Sequence, residues 1–315
     1  MSVLVFAENS EGRFKKAAFE GVAFASAIAG GSVTAVVLGN MDAAHVAELG
    51  KFGASKVLHY SDASFNAMDA GVFAQVISDA ASKVGAQWVI VSNTYTGKAV
   101  APRVAVRLNA AFAPGIIALP EGNTVKRSVF SNKGFADFSL NQSVKVVSLT
   151  PNSYSFAEGS GTAEVESCSF SPSGNRVTVK EVKKAAGKVP LTEAEVVVSG
   201  GRGLKGPENW HLIENLADTL NAATACSKPV SDVHWRPHSE HVGQTGITIK
   251  PNLYIACGIS GAIQHLAGVS SSKVIVAINT DKEAPFFKAA DYGVVGDVFD
   301  VLPRLNEAIK AFKNS

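Results

Sequence analysis

Cysteine is scarce in this chain: three in 315 residues. Cys168, Cys226 and Cys257 are far apart and odd in number, which excludes a disulfide framework and a zinc ribbon and fits a reducing compartment. Charge of one sign is also lacking, since 29 basic against 27 acidic side chains leave a net charge of +2. A dedicated nucleic-acid binder would carry a basic excess or patch, so no nucleic-acid partner is expected. Long hydrophobic runs are missing too. The apolar stretch from Ala110 to Leu119 contains Pro114 and Gly115 and is half the length of a membrane span, so no direct membrane insertion is expected. The first eight residues, Met1 to Glu8, have no basic region and reach an acid before a signal-length apolar run is complete. The expectation is a soluble chain, cytoplasmic in a bacterium and of the mitochondrial matrix in a eukaryote. No long repeat or low-complexity segment occurs.

What is present is an apolar content of 46% and enough length for one large or two ordinary domains. Val3–Ala7, Val33–Leu38, Lys56–Tyr60 and Trp88–Ser92 read as short buried strands. Helices are expected around Phe14 to Ala25, stopped by Gly30-Gly31, then near Ala43–Leu49, Gly71–Val84 and Lys98–Leu108. Apolar runs alternating with helices imply a parallel sheet covered on both faces. After Pro120 the texture changes. Ser128–Phe130, Phe135–Leu140, Val144–Leu149, Tyr154–Phe156 and Arg176–Val182 read as short antiparallel strands, with turns at Asn132-Lys133-Gly134 and Ser173-Gly174-Asn175. Lys183–Glu195, with three lysines, Gly187 and Pro190, reads as a linker and a plausible hinge. A second α/β unit follows: strands at Glu195–Val198, Leu253–Cys257 and Val274–Ile278, helices at Asn209–Ala222 and Val301–Phe312. The fold class is α/β in two domains, 1–190 and 191–315.

Chemistry-bearing patterns concentrate in the second half. Gly201-Arg202-Gly203-Leu204-Lys205-Gly206 has the G-x-G-x-x-G spacing after a strand and before a helix, a geometry that lets backbone amides meet a pyrophosphate. A plain tight turn is the competing reading. The nicotinamide version wants an acid about 20 residues on, and the nearest, Asp218, falls inside an expected helix. Two further turns, Val242-Gly243-Gln244-Thr245-Gly246 and Gly258 through His265, complete a set of three loops of the kind at which open α/β sheets bind ligands. His234, His238 and His241 with Glu240 have near-helical spacing, but Pro237 spoils the helix, so exposed loop histidines are preferred to a metal site. Ser260 between Gly258 and Gly261 lacks the glycine at 262 that a nucleophile elbow requires. Cys257 ends an apolar strand and reads as core. No acid/base pair stands out, and no catalytic residue is assigned.

These segments, beginning with Val196 through Gly203 and continuing through Val242–Gly246 and Gly258–Gly268, closely resemble the α subunit of electron transfer flavoprotein. Ala277-Ile278-Asn279, Ala290 through Gly293 and Asp297 continue the likeness in order and spacing, and Leu4–Glu8 fits more loosely. The resemblance implies an N-terminal parallel-sheet domain with added antiparallel strands that contacts a β subunit, and a C-terminal Rossmann-like, doubly wound domain that holds FAD. It implies electrons accepted from acyl-CoA and related dehydrogenases and passed to a quinone oxidoreductase of the respiratory chain through a flavin semiquinone, without substrate turnover of its own. A bifurcating or nitrogen-fixation-associated version, a NAD-dependent dehydrogenase and a flavin-free interaction protein remain as alternatives.

Carried over by residue, the resemblance places Arg202 beside the isoalloxazine ring, Thr245 with Gln244 at flavin N5, and His265 at the N1/O2 edge. Ser227, Ser260, Gln264, Asn279 and Asp297 would hold the ribityl, pyrophosphate and adenosine portions. Lys228, Val242, Gly243, Gly246, Gly261, Ala262, Ile263 and Val298 complete the implied cofactor-binding set. An anionic flavin needs positive charge or strong donors near N1 and O2, which Arg202 and His265 can supply, the latter with a charge that can change in the working pH range. One departure stands out: the family usually has Ser-Arg where this chain has Ser227-Lys228, which keeps the charge but loses the planar guanidinium.

Overall fold

Short strands of four to six residues build both sheets of the computed structural model, which describes residues 1–130, 132–171, 173, 177, 179–182 and 189–314. The chain divides into two compact units, 1–129 with 133–184, and 130–132 with 185–315. The expected strand Arg176–Val182, the turn at Ser173-Gly174-Asn175 and the linker from Lys183 lie partly outside the described residues, as does the region next to the expected boundary at 190/191.

The first unit contains β1 (Val3–Phe6), α1 (Lys16–Ala29), β2 (Val33–Leu38), α2 (Ala43–Ala47), β3 (Lys56–Tyr60), α3 (Ala70–Lys83), β4 (Trp88–Ser92) and α4 (Tyr95–Arg107). It continues with β5 (Ala111–Ile116), β6 (Thr124–Val129), β7 (Gly134–Ser139), β8 (Lys145–Leu149) and β9 (Glu164–Ser167). They form one nine-stranded sheet in the order β9-β3-β2-β1-β4-β8-β5-β6-β7. Side chains alternate between two cores: Val3 and Val5 face α1, while Leu4 and Phe6 face α3 and α4. Asp69 caps α3 by accepting from the amides of Gly71 and Val72, and Thr94 caps α4 through Gly97. That cap explains why α4 begins three residues before the expected Lys98.

Three expectations are corrected here. Val144–Leu149 is not antiparallel: β8 runs parallel to both β4 and β5, and all five of its residues are buried, as a strand covered on both faces requires. Tyr154–Phe156 forms no strand. The carboxylate of buried Glu20 on α1 accepts from the amides of Asn152, Ser153 and Tyr154, and the Tyr154 ring meets Phe24 edge-on at 5.5 Å. The backbone there is satisfied by a side chain in place of a neighbouring strand. Strand β9, absent from the expectation, pairs parallel with β3. Pro114 and Gly115 lie inside β5, where the β8 register slips and Gly115 adopts φ +68°.

The second unit contains β10 (Val196–Gly200), α5 (His211–Leu220), β11 (Ala223–Cys226), α6 (Lys228–Asp232), β12 (Leu253–Cys257), α7 (Ile263–Val269), β13 (Val274–Asn279), β14 (Tyr292–Val295) and α8 (Val298–Lys313). Its five strands are all parallel, ordered β11-β10-β12-β13-β14. The expected helix Asn209–Ala222 resolves into a 3-10 turn at Pro207–Trp210 followed by α5, which ends where Asn221 turns left-handed at φ +53°. Asp297 caps α8 through the amide of Phe299, so that helix starts three residues earlier than expected. On one sheet face Val198, Ile255, Cys257 and Ile278 pack against α5 and α8; on the other, Val197, Tyr254, Ala256 and Ala277 pack with Val242, Val269 and Phe286. The edge strand β14 is exposed at all four residues. No described helix is long and apolar enough to cross a membrane.

Candidate functional site

The C-terminal ends of β10, β11, β12 and β13 open onto a cavity of about 580 Å³ within the second unit. Connections leaving strand ends are where parallel sheets bind ligands, and this volume lies in the usual range for one. Backbone-to-backbone contact holds its floor together. The amide of Gly201 donates to the Cys257 carbonyl at 2.9 Å and that of Gly203 to the Gly258 carbonyl at 3.1 Å. A Cβ on Gly203 would stand 2.7 Å from the Cα of Gly258, which itself sits at φ +62°. The first two glycines of the G-x-G-x-x-G segment are therefore accounted for by one loop lying against the next. The Val242–Gly246 loop joins the same floor: Val242 donates to the Cys226 carbonyl, and the Gln244 amide donates to the Gln264 carbonyl at 2.7 Å.

Eleven of the seventeen expected cofactor-binding residues line the cavity: Arg202, Ser227, Lys228, Val242, Gln244, Thr245, Ser260, Ala262, Gln264, His265 and Asn279. Six do not line it. Gly243, Gly246 and Gly261 lie beside it in the chain and serve packing; a Cβ on Gly246 would come within 2.8 Å of His241 Nδ1, and one on Gly261 within 2.4 Å of the Phe286 amide. Ile263 is exposed at the start of α7. Asp297 caps α8 and pairs with Lys205 at 3.6 Å, and Val298 is buried as the first residue of that helix. Asn279 has a bracing role: its Nδ2 donates to the Ile259 carbonyl at 3.0 Å and its Oδ1 accepts from the Asp281 amide, tying the loops after β12 and β13 together.

Electrostatically the wall combines exposed cations with buried neutral rings. Arg202 and Lys228 are exposed. His265 is 6% exposed, and burial holds its pKa down to about 4, so the ring is neutral at neutral pH, contrary to the expectation of a charge change in the working range. His241 is also buried in the cavity wall and lowered in the same direction, by burial first and then by the neighbouring His238. The Nδ1 atoms of both His241 and His265 lack a hydrogen-bond partner. Buried polar atoms without partners, next to two exposed cations, fit a ligand that brings polar ring edges and negative phosphates.

Other readings lose ground. The strand after the glycine segment, β11, is followed by Ser227 and Lys228 and not by the acid that a nicotinamide ribose requires, while Asp218 lies in α5. His238 and His241 have rings 5.2 Å apart, but His234 is exposed and Glu240 is paired with Arg236 at 2.7 Å. Among the described residues no group of three or more His, Cys, Asp or Glu side chains is placed to hold a metal ion. Cys257 is fully buried, which pushes its thiol up to about 12 and leaves it inert. Sequence reasoning missed His241 as a wall residue, and with it Tyr254 and Phe286 behind His265; the only signal for Tyr254 was a hydroxyl in an otherwise apolar run.

Comparison with known proteins agrees with this geometry. Residues 3–173 match the model described as electron transfer flavoprotein domain, and residues 190–270 match the electron transfer flavoprotein FAD-binding domain. The electron transfer flavoprotein subunit alpha of Bacillus subtilis is 38% identical over 98% of this chain and 97% of its own length. The subunits of the same name from Pseudomonas aeruginosa and Paracoccus denitrificans are each 38% identical, over 98% and 97% of this chain and 100% and 99% of their own lengths. Two models matched in chain order, and relatives similar from end to end, show that the chain belongs to the electron transfer flavoprotein α-subunit family.

Proposed function

We propose that this chain, together with a β subunit, forms an FAD-containing electron carrier. It takes electrons from acyl-CoA and related dehydrogenases, delivers them one at a time to a quinone oxidoreductase and turns over no substrate of its own. Domain 191–315 is the FAD-binding part, and domain 1–190 offers surface to the partner subunit. The observation that carries this reading is the cavity at the strand ends of the second unit, with Arg202 and Lys228 on its rim and neutral His265 in its wall.

FAD supplies reversible one- and two-electron redox chemistry when bound. The chain's own residues do the rest. Arg202 places a cation where added negative charge is favoured, and the Gln244–Thr245 pair offers polar groups on the opposite loop. His265 presents an uncharged ring, and Ser227, Ser260, Gln264 and Asn279 supply the polar lining along the remainder. Lys228 gives a point charge where a guanidinium would stack.

The test is the visible spectrum of the complex, co-expressed with the β subunit and titrated anaerobically with dithionite. Bound flavin whose spectrum passes through a one-electron stage supports the carrier reading. A flavin reduced directly by two electrons overturns single-electron delivery, and a colourless, folded complex overturns FAD binding.

A further inference from the structure

Strand β12 lies in the middle of the second sheet and carries one hydroxyl, that of Tyr254. Tyr254 is fully buried, so its hydroxyl requires a partner inside the protein. It finds Nε2 of His265 on α7 at 2.7 Å. Phe286 completes the enclosure, stacked on Tyr254 at 6.2 Å and meeting the His265 ring edge-on at 5.9 Å. The imidazole in the cavity wall is therefore held by a hydroxyl on one side and an aromatic ring on another.

The position of the proton follows from counting partners. Burial raises the Tyr254 pKa far above its ordinary value, so the hydroxyl keeps its hydrogen. The neutral His265 ring carries a single N–H. The other hydroxyl facing Tyr254 is Ser199 on β10, and its Oγ makes no hydrogen bond in this geometry. If Nε2–H were the donor, the tyrosine hydrogen would have only the poorly aligned Ser199 Oγ to turn to, whereas Nε2 lies at 2.7 Å. With the tyrosine as donor, Nε2 accepts and the ring hydrogen sits on Nδ1. That nitrogen is buried, with the Val242 backbone favouring a protonated ring and the neighbouring His241 opposing one.

We propose that Tyr254 is a positioning residue that locks His265 in the Nδ1–H tautomer, so that the imidazole of the cavity wall is held uncharged and in one fixed orientation. Tyr254 thus acts through His265 and touches no ligand itself. The consequence for a flavin rests on the reading above that His265 meets the ring.

The experiment is a long-range 1H–15N correlation spectrum of the FAD-loaded complex labelled with 15N-histidine, in wild type and Tyr254→Phe, with His265→Gln to assign the signal. The wild type is expected to show His265 as Nδ1–H, and Tyr254→Phe to move most of the population to Nε2–H. An Nε2–H signal in the wild type, or an unchanged Nδ1–H signal in Tyr254→Phe, overturns the proposal. The wild-type spectrum alone is decisive if the variant does not fold. The flavin midpoint potential of the same samples separates the two layers: a shifted tautomer with a lower potential supports both, whereas a shifted tautomer with an unchanged potential upholds the role of Tyr254 and removes His265 from the flavin.

Discussion

Arg202 and His265 bring different electrostatics to one cavity, a solvated cation and a buried neutral ring. With Arg202 beside the flavin as proposed, Arg202→Ala removes a cation that favours the reduced, more negative cofactor. The midpoint potential should fall by something on the order of tens of millivolts, since solvent screens an exposed charge. A potentiometric titration checks this, and an unchanged or higher value removes Arg202 from the ring. His265 makes a stability prediction. Its folded pKa is held near 4 by burial, while an unfolded histidine titrates near 6.5, so between these values the unfolded chain binds a proton that the folded chain refuses. Its contribution is complete above about pH 6.5 and declines as pH falls toward 4, by up to about 3 kcal/mol, and the lowered pKa of His241 acts in the same direction. Urea unfolding at pH 7 and pH 5 should show a smaller loss in His265→Gln than in the wild type; equal losses would contradict a buried neutral imidazole. Neither ring's burial was legible from residue type. The resemblance put His265 at the site, but a neutral state depends on Tyr254 and Phe286, which lie 11 and 21 positions away and read as ordinary core.

At the scale of elements, the apolar strands β1, β2, β3, β4, β10, β12 and β13 were legible because each is a short run of core residues between turn signals. Strand direction was not. A five-residue buried strand such as β8 contains nothing local that says parallel, and the answer came from its place between β4 and β5. Strand β9, with two glutamates in four residues, lacked the apolar signal altogether. The glycine segment was legible as a motif but not in its physics, because the crowding at Gly203 comes from Gly258, 55 positions later. The seam between these two loops makes a prediction. Gly203→Ala should push the loops after β10 and β12 apart and weaken FAD retention by about tenfold or more, corresponding to about 1.4 kcal/mol. Measuring FAD dissociation in the complex tests it, and a variant that holds FAD as tightly as the wild type would show that the seam gives way without consequence.

At the scale of the molecule, the chain is two compact units whose cores are separately complete, and the candidate site is built from residues of the second alone. A ligand bound only by the folded second unit stabilises that unit by mass action, about 2.7 kcal/mol at a hundredfold excess over its dissociation constant. Scanning calorimetry of the chain with added FAD should therefore move one unfolding transition upward and leave the other in place. A single transition, or two that shift together, would show that the units unfold as one.

The second sheet ends in β14, where Tyr292, Gly293, Val294 and Val295 are all exposed and one side of the backbone ladder has no neighbouring strand in the sheet. Such an edge is a template. In a concentrated solution of the isolated chain, two of these borders can add to each other as readily as a zip closes, because the groups that join strands inside the sheet are already presented at its margin. The colloidal behaviour of the protein is thus written into these four residues: turbidity on concentration, and its relief by a lysine placed at the border.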